Sequence, residues 1–558
     1  MESLGEETWD TVICGTGLQQ SLLALALSRS KKRILHLDPN QYYGEHEAAF
    51  SLQEAEAWAN AHAGAGAGAT RQVKTTEGSE TVGEPRKQDD SERGDTVERD
   101  TTVADSGPDT SLSSQETPPA RRSGIFQHAS VWKHPDAAAH GLSFPRAYSL
   151  ALAPQIIHTR SKLLTQLVSS RAYRQVEFLS VGSFFVYNAA GPESDSKLAR
   201  IPSSREDVFL TQSIPVRSKR SLMKFLKFVV DYEYEEQKPI WQEQADAPLA
   251  DFLGNEFKLD EDLQKYILAL TLTLDGKVTV KDGLATIHRH LTSMNLFGPG
   301  FCAVYPKWGG SSEIAQVACR AGAVGGGIYM LDTSMEIDES AEGDEIPVNL
   351  SNGVTIQTRS LISAQQDPAK DAQAITRLVA VINAPLRSLF EVVLEGAPTP
   401  AVAVVAFPSN SLLATEGSAP DNPVYAFVHS SDTGECPVGQ SVVYLTTLTT
   451  PQADQGLNAA LDALLEAASP PGQTPTCLYR LQYEQTATAR EPLVSTRGKA
   501  SVFEFPSPPL NLAFDDTPLD TVKAAWKLIL KDETSFEAYM IFEDREGVGD
   551  HEDDPAYV

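Results

Sequence analysis

Apolar positions open the chain as a tight block and then spread to helical spacing. Asp10-Thr11-Val12-Ile13-Cys14 predicts a buried strand, Gly15-Thr16-Gly17 a turn, and the stretch from Leu18 through the apolar run 22–27 a helix. Arg33-Ile34-Leu35-His36-Leu37 predicts a second strand that ends on Asp38, so residues 1–50 read as a β-turn-α-β unit. Leu163, Leu164, Leu167 and Val168 recur at helical spacing over 161–173, and aromatic and β-branched residues fill a strand over 181–187. After a break at Ile201-Pro202, either Ser203 with Glu206 or Ser204 with Asp207 forms a capping box that starts a helix.

The clearest amphipathic helix spans 218–235. Its apolar stripe is Leu222, Phe225, Leu226, Val229 and Val230, and Lys219, Arg220, Lys224 and Lys227 lie off the stripe. Another helix spans 260–274, so residues 202–284 are helical and differ in character from their flanks. Gly325-Gly326-Gly327 leads into a strand within 324–331. Beyond it, strands at 378–382, 401–407, 441–448 and 478–483 are joined by helices at 458–468 and 521–530.

Composition changes this picture in one place. From 61 to 123 the chain passes through Ala63-Gly64-Ala65-Gly66-Ala67-Gly68 into mixed charge, Ser, Thr and Gly. Such a stretch cannot bury enough apolar area to offset its ordering entropy, and it predicts a disordered spacer. The resulting division is 1–60, 124–202 and 285–530 for a large domain, 61–123 for the insertion, 203–284 for a helical domain and 531–558 for an acidic, solvated tail.

Charge narrows the partners. The 558 residues carry a net charge of −29. That argues against nucleic-acid binding and against an electrostatic hold on anionic lipid. It fits solubility, or an acidic face for a basic partner. The five cysteines, Cys14, Cys302, Cys319, Cys436 and Cys477, are odd in number and show no C-x-x-C spacing. Disulfides and zinc are therefore not expected, and a reducing compartment fits best. The run 22–27 is too short to span a bilayer and has no signal-peptide pattern, so the expectation is a cytosolic protein. His288 and His290 lie two apart with no carboxylate or cysteine nearby in sequence, and read as surface or core residues.

A dinucleotide site uses one glycine for its tight turn, a second for close approach to the diphosphate and a third for helix–strand packing. Gly15 and Gly17 supply the first two, but Gln20 stands at the third, where close packing is expected. Asp38 is placed to hold a ribose hydroxyl. These residues leave open both a flavin-dependent oxidoreductase and a protein that keeps only the frame of one.

Three regions in order carry a resemblance. Gly15-Thr16-Gly17-Leu18, Ile34-Leu35-His36-Leu37-Asp38-Pro39-Asn40 and Tyr42-Tyr43-Gly44 form the first; Val181-Gly182-Ser183-Phe184-Phe185-Val186-Tyr187 with Ile201-Pro202-Ser203 the second. Tyr305-Pro306-Lys307-Trp308-Gly309 through Glu313, Arg320 and Gly326-Gly327-Ile328-Tyr329 form the third. Together they resemble the Rab GDP-dissociation inhibitor and Rab escort protein superfamily over roughly 8–50 and 145–335, with a weaker continuation to about 530. Ser311-Ser312-Glu313-Ile314 stands where that superfamily has Gly-Glu-Leu-Pro.

The resemblance implies an α/β fold, with a large FAD/NAD(P)-binding-type Rossmann domain of mixed sheets and a small all-helical domain. It implies no flavin, no metal and no catalytic residue. Tyr43, Glu313 and Arg320 would contact GDP-bound Rab GTPases, with Tyr42-Tyr43-Gly44 turned outward and Glu313 exposed. Phe209 and Arg220, eleven apart, match the escort branch, in which such a pair docks the Rab geranylgeranyltransferase α/β heterodimer. Leu222, Phe225, Leu226 and Val229 are candidates to shelter the geranylgeranyl groups while the prenylated Rab is carried to a membrane. On residue pattern alone, Glu313 and Arg320 serve equally as a surface pair, and Phe209 and the stripe as helix core. A dissociation inhibitor that never meets the transferase is the nearest alternative.

Overall fold

Strand Thr11–Cys14 is central to a parallel sheet because its side chains are buried on both faces, as unbroken apolar runs require. It pairs in parallel with Ile34–Leu37 on one side and Ser360–Ala364 on the other, with Thr11 opposite Ile34 and Val12 opposite Leu361. Ile328–Met330 lies outside Ile34–Leu37, and Ala500–Phe505 then the antiparallel edge strand Leu493–Arg497 lie outside Ser360–Ala364. These features come from a computed structural model that describes residues 4–5, 8–64, 124–188, 197–202, 205–211, 214–337, 343–370, 372–392, 394–412, 421–470, 472–473, 475–531 and 538–543. The predicted insertion beyond Gly64, the caps at Ser203 and Ser204 and the acidic tail beyond Glu543 lie outside them.

The two faces of this sheet are covered differently. Ile13 and Ile362 pack with helices Leu18–Leu27, Ser311–Val324 and Thr517–Leu530. Val12, Leu35 and Leu361 face the small antiparallel sheet of Met335–Ile337, Ile346–Leu350 and Thr355–Thr358. Helix Leu18–Leu27 is buried on every side, its polar Gln19, Gln20 and Ser21 included. An apolar stripe was therefore never its signature, and its polar residues need internal partners.

A second, mixed sheet runs in the order Phe126–Lys133, Cys477–Thr486, Ala374–Ile382, Ser441–Leu448, Val424–Ser430, Val402–Phe407, Phe178–Tyr187, Ala303–Pro306, Ile157–His158. Its pairings are antiparallel except for Val402–Phe407 beside Phe178–Tyr187. Helix Ala453–Ala468 covers one face through Leu457, Leu461, Leu464 and Leu465. The other face shares a core with helices Val216–Asp231, Leu249–Phe257, Glu261–Thr271 and Val280–Ser293. The strands expected after 324 are all present, and the helix expected at 218–235 runs over Val216–Asp231. No helix among the described residues is long and apolar enough to cross a membrane, and all five cysteines are free thiols.

Candidate functional site

The glycine turn is closed by the chain's own acids. Gly15 adopts φ +99°, and a Cβ on it would overlap the Glu45 carboxyl. A Cβ on Gly17 would meet Gln20, Glu45 and Glu47 oxygens at 3.0–3.4 Å. Glu45 accepts from the Gly17 amide and from Gln20 Nε2, the latter at 3.1 Å, while Glu47 Oε2 accepts from the Leu18 amide at 3.3 Å. In a dinucleotide domain these first amides of the helix face a diphosphate. Here the space above the glycines is taken and lined with carboxyls, so the residues present do not fit that group. Gln20 is buried as a partner of Glu45 rather than wedged against the strand. Burial, reinforced by Asp38 and Glu47, raises the Glu45 carboxyl well above the carboxylate range. Burial alone lifts Glu47 to about 7.

Asp38 is committed as well. Its Oδ2 accepts from the Thr16 amide at 2.8 Å and from Thr16 Oγ1 at 2.6 Å, and its Oδ1 accepts from the Asn40 amide at 2.7 Å. The Thr16 hydroxyl in turn accepts from the Gly44 amide at 2.9 Å. This relay hangs the loop of Tyr42, Tyr43 and Gly44 on the turn. Gly44 sits at φ +102°, a backbone region that disfavours side chains.

The loop is not turned outward as a whole. Tyr42 packs edge-on against Phe50, with ring centroids 4.8 Å apart, because the adjoining core offers an aromatic face to it. Tyr43 is half-exposed. Burial raises its hydroxyl above the ordinary value, with Cys319 and Asp38 adding to the rise, so Tyr43 is near enough to Cys319 of helix Ser311–Val324 to feel it. That helix carries Glu313 in its first turn and Arg320 in its last two. Arg320 is exposed; Glu313 is half-buried rather than exposed, since the helix start at Ser311 and Ser312 is itself buried. Burial raises the Glu313 carboxyl and the Arg320 guanidinium pulls it back down, so the two side chains feel each other along one helix face. Glu313 and Arg320 thus share one helix, and Tyr43 feels Cys319 of that same helix.

The helical segment holds the other predicted residues. Arg200 grips the buried Asp207 with two charge-assisted bonds, at 2.8 and 2.6 Å, and so ties helix Arg205–Leu210 to strand Leu198–Arg200. Lys219 Nζ donates to the Phe209 carbonyl at 2.9 Å. That bond joins the two helices at the residue next to Arg220. Phe209 is 58% exposed and Arg220 is exposed as well, so Phe209 is not core. The stripe behaves in the opposite way. Leu222, Phe225 and Val229 are buried and Leu226 is half-buried. Phe225 meets Phe257 edge-on at 5.2 Å. Val230, expected on the stripe, is 48% exposed, and Phe228 takes the inward position instead, next to Phe252 and Phe257.

Glu45 and Glu47 escaped the sequence reading, since Glu45-His46-Glu47 after a glycine looks like a solvated loop. Another buried acid escaped too. Glu435, fully enclosed, accepts from Tyr305 at 2.7 Å and Tyr444 at 3.1 Å, and pairs with His429 Nδ1 at 2.6 Å. No motif marks it. Of the two spaced histidines, His290 is core as expected, and His288 is half-buried with Nδ1 3.0 Å from the Val229 carbonyl oxygen.

A Rossmann-type frame whose diphosphate position is filled by its own carboxyls, with a tyrosine loop hung from it, defines a dinucleotide-domain relative put to another use. The sequence profile of the GDP dissociation inhibitor family matches residues 5–71 and 125–392, and the chain belongs to that family. It is 29% identical over 464 residues, 82% of this chain, to the protein of Saccharomyces cerevisiae named Rab proteins geranylgeranyltransferase component A, and spans 64% of that relative's length. It is 25% identical to Rab escort protein 1 of Arabidopsis thaliana, covering 95% of both chains. The crystal structure of Rab GDI from Plasmodium falciparum shares the fold with a TM-score of 0.59 at 16% identity, over 94% of this chain and 98% of that one.

Proposed function

We propose that the chain is a Rab escort protein, an accessory subunit with no catalytic residue of its own. It binds newly made, GDP-bound Rab GTPases, presents them to the Rab geranylgeranyltransferase heterodimer and carries the prenylated Rab to a membrane, working otherwise from the cytosol. Tyr43, Glu313 and Arg320 form the Rab platform, where a carboxyl and a guanidinium read polar surface and Arg binds bidentately. Phe209 and Arg220 form the transferase contact. The relatives named component A and escort protein support this reading. The observation that carries it is that Phe209 and Arg220 are both exposed, on adjacent helices tied together by the Lys219 bond to the Phe209 carbonyl, since exposed aromatics and arginines are the residue types of interface hot spots.

The geranylgeranyl groups enter where Leu222, Phe225, Leu226 and Val229 line the helices. Burying each CH₂ gives about 0.8 kcal/mol. Part of one chain therefore offsets some of the cost of parting a packed bundle, and the half-buried Leu226 is where the parting begins.

Reconstitution tests the proposal. Rab, the transferase heterodimer and geranylgeranyl diphosphate are mixed with and without this protein, and prenyl transfer is expected only with it. Phe209→Ala and Arg220→Ala each weaken transferase binding by about 30-fold, the cost of a hot-spot truncation near 2 kcal/mol. Transfer that proceeds equally without the chain overturns the function. Transferase binding that survives both variants overturns the site and favours a dissociation inhibitor.

A further inference from the structure

His158, His290 and Cys302 come from three separate segments: strand Ile157–His158, the last turn of helix Val280–Ser293, and the residue before strand Ala303–Pro306. All three are buried, and one ligand atom from each lies within 4.8 Å of the others. Nothing in the sequence joins them, and the cysteine that His290 lacks among its chain neighbours is supplied by the fold. Cys302 Sγ is 3.5 Å from His290 Nδ1 and 3.7 Å from its Nε2. The His158 and His290 rings stand 5.8 Å apart at 76°.

His158 is the telling member. It is 2% exposed, yet neither of its ring nitrogens has a hydrogen-bond partner. A buried imidazole without a partner forfeits the bonds it made to water. Ser293 Oγ, at the end of the same helix as His290, is also buried without a partner. We infer that His158, His290 and Cys302 bind a thiophilic d¹⁰ cation, Zn²⁺ or Cu⁺.

The donor set fits that chemistry. Two imidazoles and a thiolate are the soft and borderline ligands that these ions prefer over the oxygen ligands of Mg²⁺ or Ca²⁺. Because Cys302 Sγ faces both nitrogens of His290 about equally, ligation takes a rotation of that ring. Arg289, whose charge acts on His158, is held by Asp516 at 3.3 Å, which limits its repulsion of an incoming ion. A cleft of about 530 Å³ has His158 in its lining, with Asp275, Asp282 and Asp515 balanced by Lys277, Arg289 and Arg490, so a polar path to the site exists and a water can complete a Zn²⁺ shell. On binding, the Cys302 S–H bond breaks, its proton leaves to solvent and a sulfur–metal bond forms, with no change of oxidation state. A bound ion would clamp the last helix of the helical segment to the edge of the mixed sheet.

The full chain, stripped with a chelator, is titrated in two arms: Co²⁺ as the spectroscopic substitute for Zn²⁺, and Cu⁺ against a coloured competing chelator. One equivalent is expected in at least one arm, with a sulfur-to-cobalt absorption band if the Zn²⁺ arm is the one. Cys302→Ser abolishes the signal, and His158→Gln weakens binding by about 100-fold or more, beyond the loss of an outer-sphere partner. No stoichiometric binding of either ion by the wild type, or binding unchanged in both variants, overturns the site. Should neither variant fold, X-ray absorption of the loaded wild type decides. One sulfur at about 2.3 Å with imidazole nitrogens at about 2.0 Å supports the site, and a shell without sulfur overturns it.

Discussion

Glu47→Gln should make this protein more stable, and only above a defined pH. Glu47 is 3% exposed, and burial lifts its carboxyl from an ordinary 4.5 to about 7. Between those values the folded chain holds a proton that the unfolded chain has released, so stability falls as pH rises through the window and stays lower above it. A shift of that size is worth roughly 3 kcal/mol at pH 8, counting 1.36 kcal/mol per unit. Below 4.5 both states are protonated and the penalty is absent. A glutamine keeps an oxygen for the Leu18 amide, now 3.3 Å from Glu47 Oε2, but cannot ionise. Glu45, whose carboxyl is raised in part by Glu47, gains as well. Urea unfolding of wild type and variant, followed by tryptophan fluorescence from pH 4.5 to 8, reads the difference. The expected gap is near zero at the acid end and about 3 kcal/mol in favour of the variant at pH 8. A variant that is less stable at pH 8, or a gap that does not change with pH, refutes the argument that these acids are buried over the glycine turn at an electrostatic cost.

Three further outcomes test other parts of the structure. Phe225→Ala empties a fully buried position against Phe257 and should cost about 3–5 kcal/mol in the same unfolding assay. A change under 1 kcal/mol would place this stripe at a surface or an open lipid channel instead. Glu435→Ala strips the shared acceptor from Tyr305, Tyr444 and His429 and should destabilise by about 3–5 kcal/mol, while Glu435→Gln, which keeps an oxygen, should cost less. Phe209→Ala should leave the unfolding free energy within about 0.5 kcal/mol of wild type, because its ring is 58% exposed. A larger loss would mean that weaker transferase binding by this variant reports damage to the helix rather than a missing contact.

How far the sequence carried depended on whether a residue's role was set by its neighbours in the chain or across the fold. Strand Thr11–Cys14 and helix Val216–Asp231 were legible because their burial shows in local periodicity. Even there one position slipped. Val230 and Phe228 differ by two residues on a helix, and only the rings of Phe252 and Phe257 decide which points in. Phe209 was balanced between core and interface, and the Lys219 bond to its carbonyl, from the next helix, accompanies the exposed outcome. The buried groups were illegible for a different reason. Glu47 and Glu435 are polar residues in stretches that look solvated, His158 ends an apolar one, and each acquires its meaning from partners far along the chain or, for His158, from their absence.

The glycine turn shows what that blindness hides. Gly15 and Gly17 were read correctly as a dinucleotide-type turn, and Gln20 as a departure from it, yet the departure by itself did not say what replaced the ligand. The structure supplies the replacement in one connected set of bonds. Glu45 and Glu47 take the amides a diphosphate would face. Asp38, freed from any ribose, anchors Thr16, and Thr16 anchors Gly44. The residues that would have recognised a cofactor now fix the backbone on either side of Tyr43. A rigid loop loses less entropy when it meets a partner, so under the proposed function the same bonds that close the turn would prepare the tyrosine to bind. The two effects separate in one variant. Thr16→Val removes the hydroxyl between Asp38 and Gly44 and leaves Tyr43, Glu313 and Arg320 in place. It should weaken Rab binding by several-fold while leaving the glycine turn closed to added FAD. A variant that binds Rab as tightly as wild type would show that the Thr16 hydroxyl is not what fixes the loop, and that the Tyr42 and Phe50 contact and the loop's remaining backbone bonds suffice.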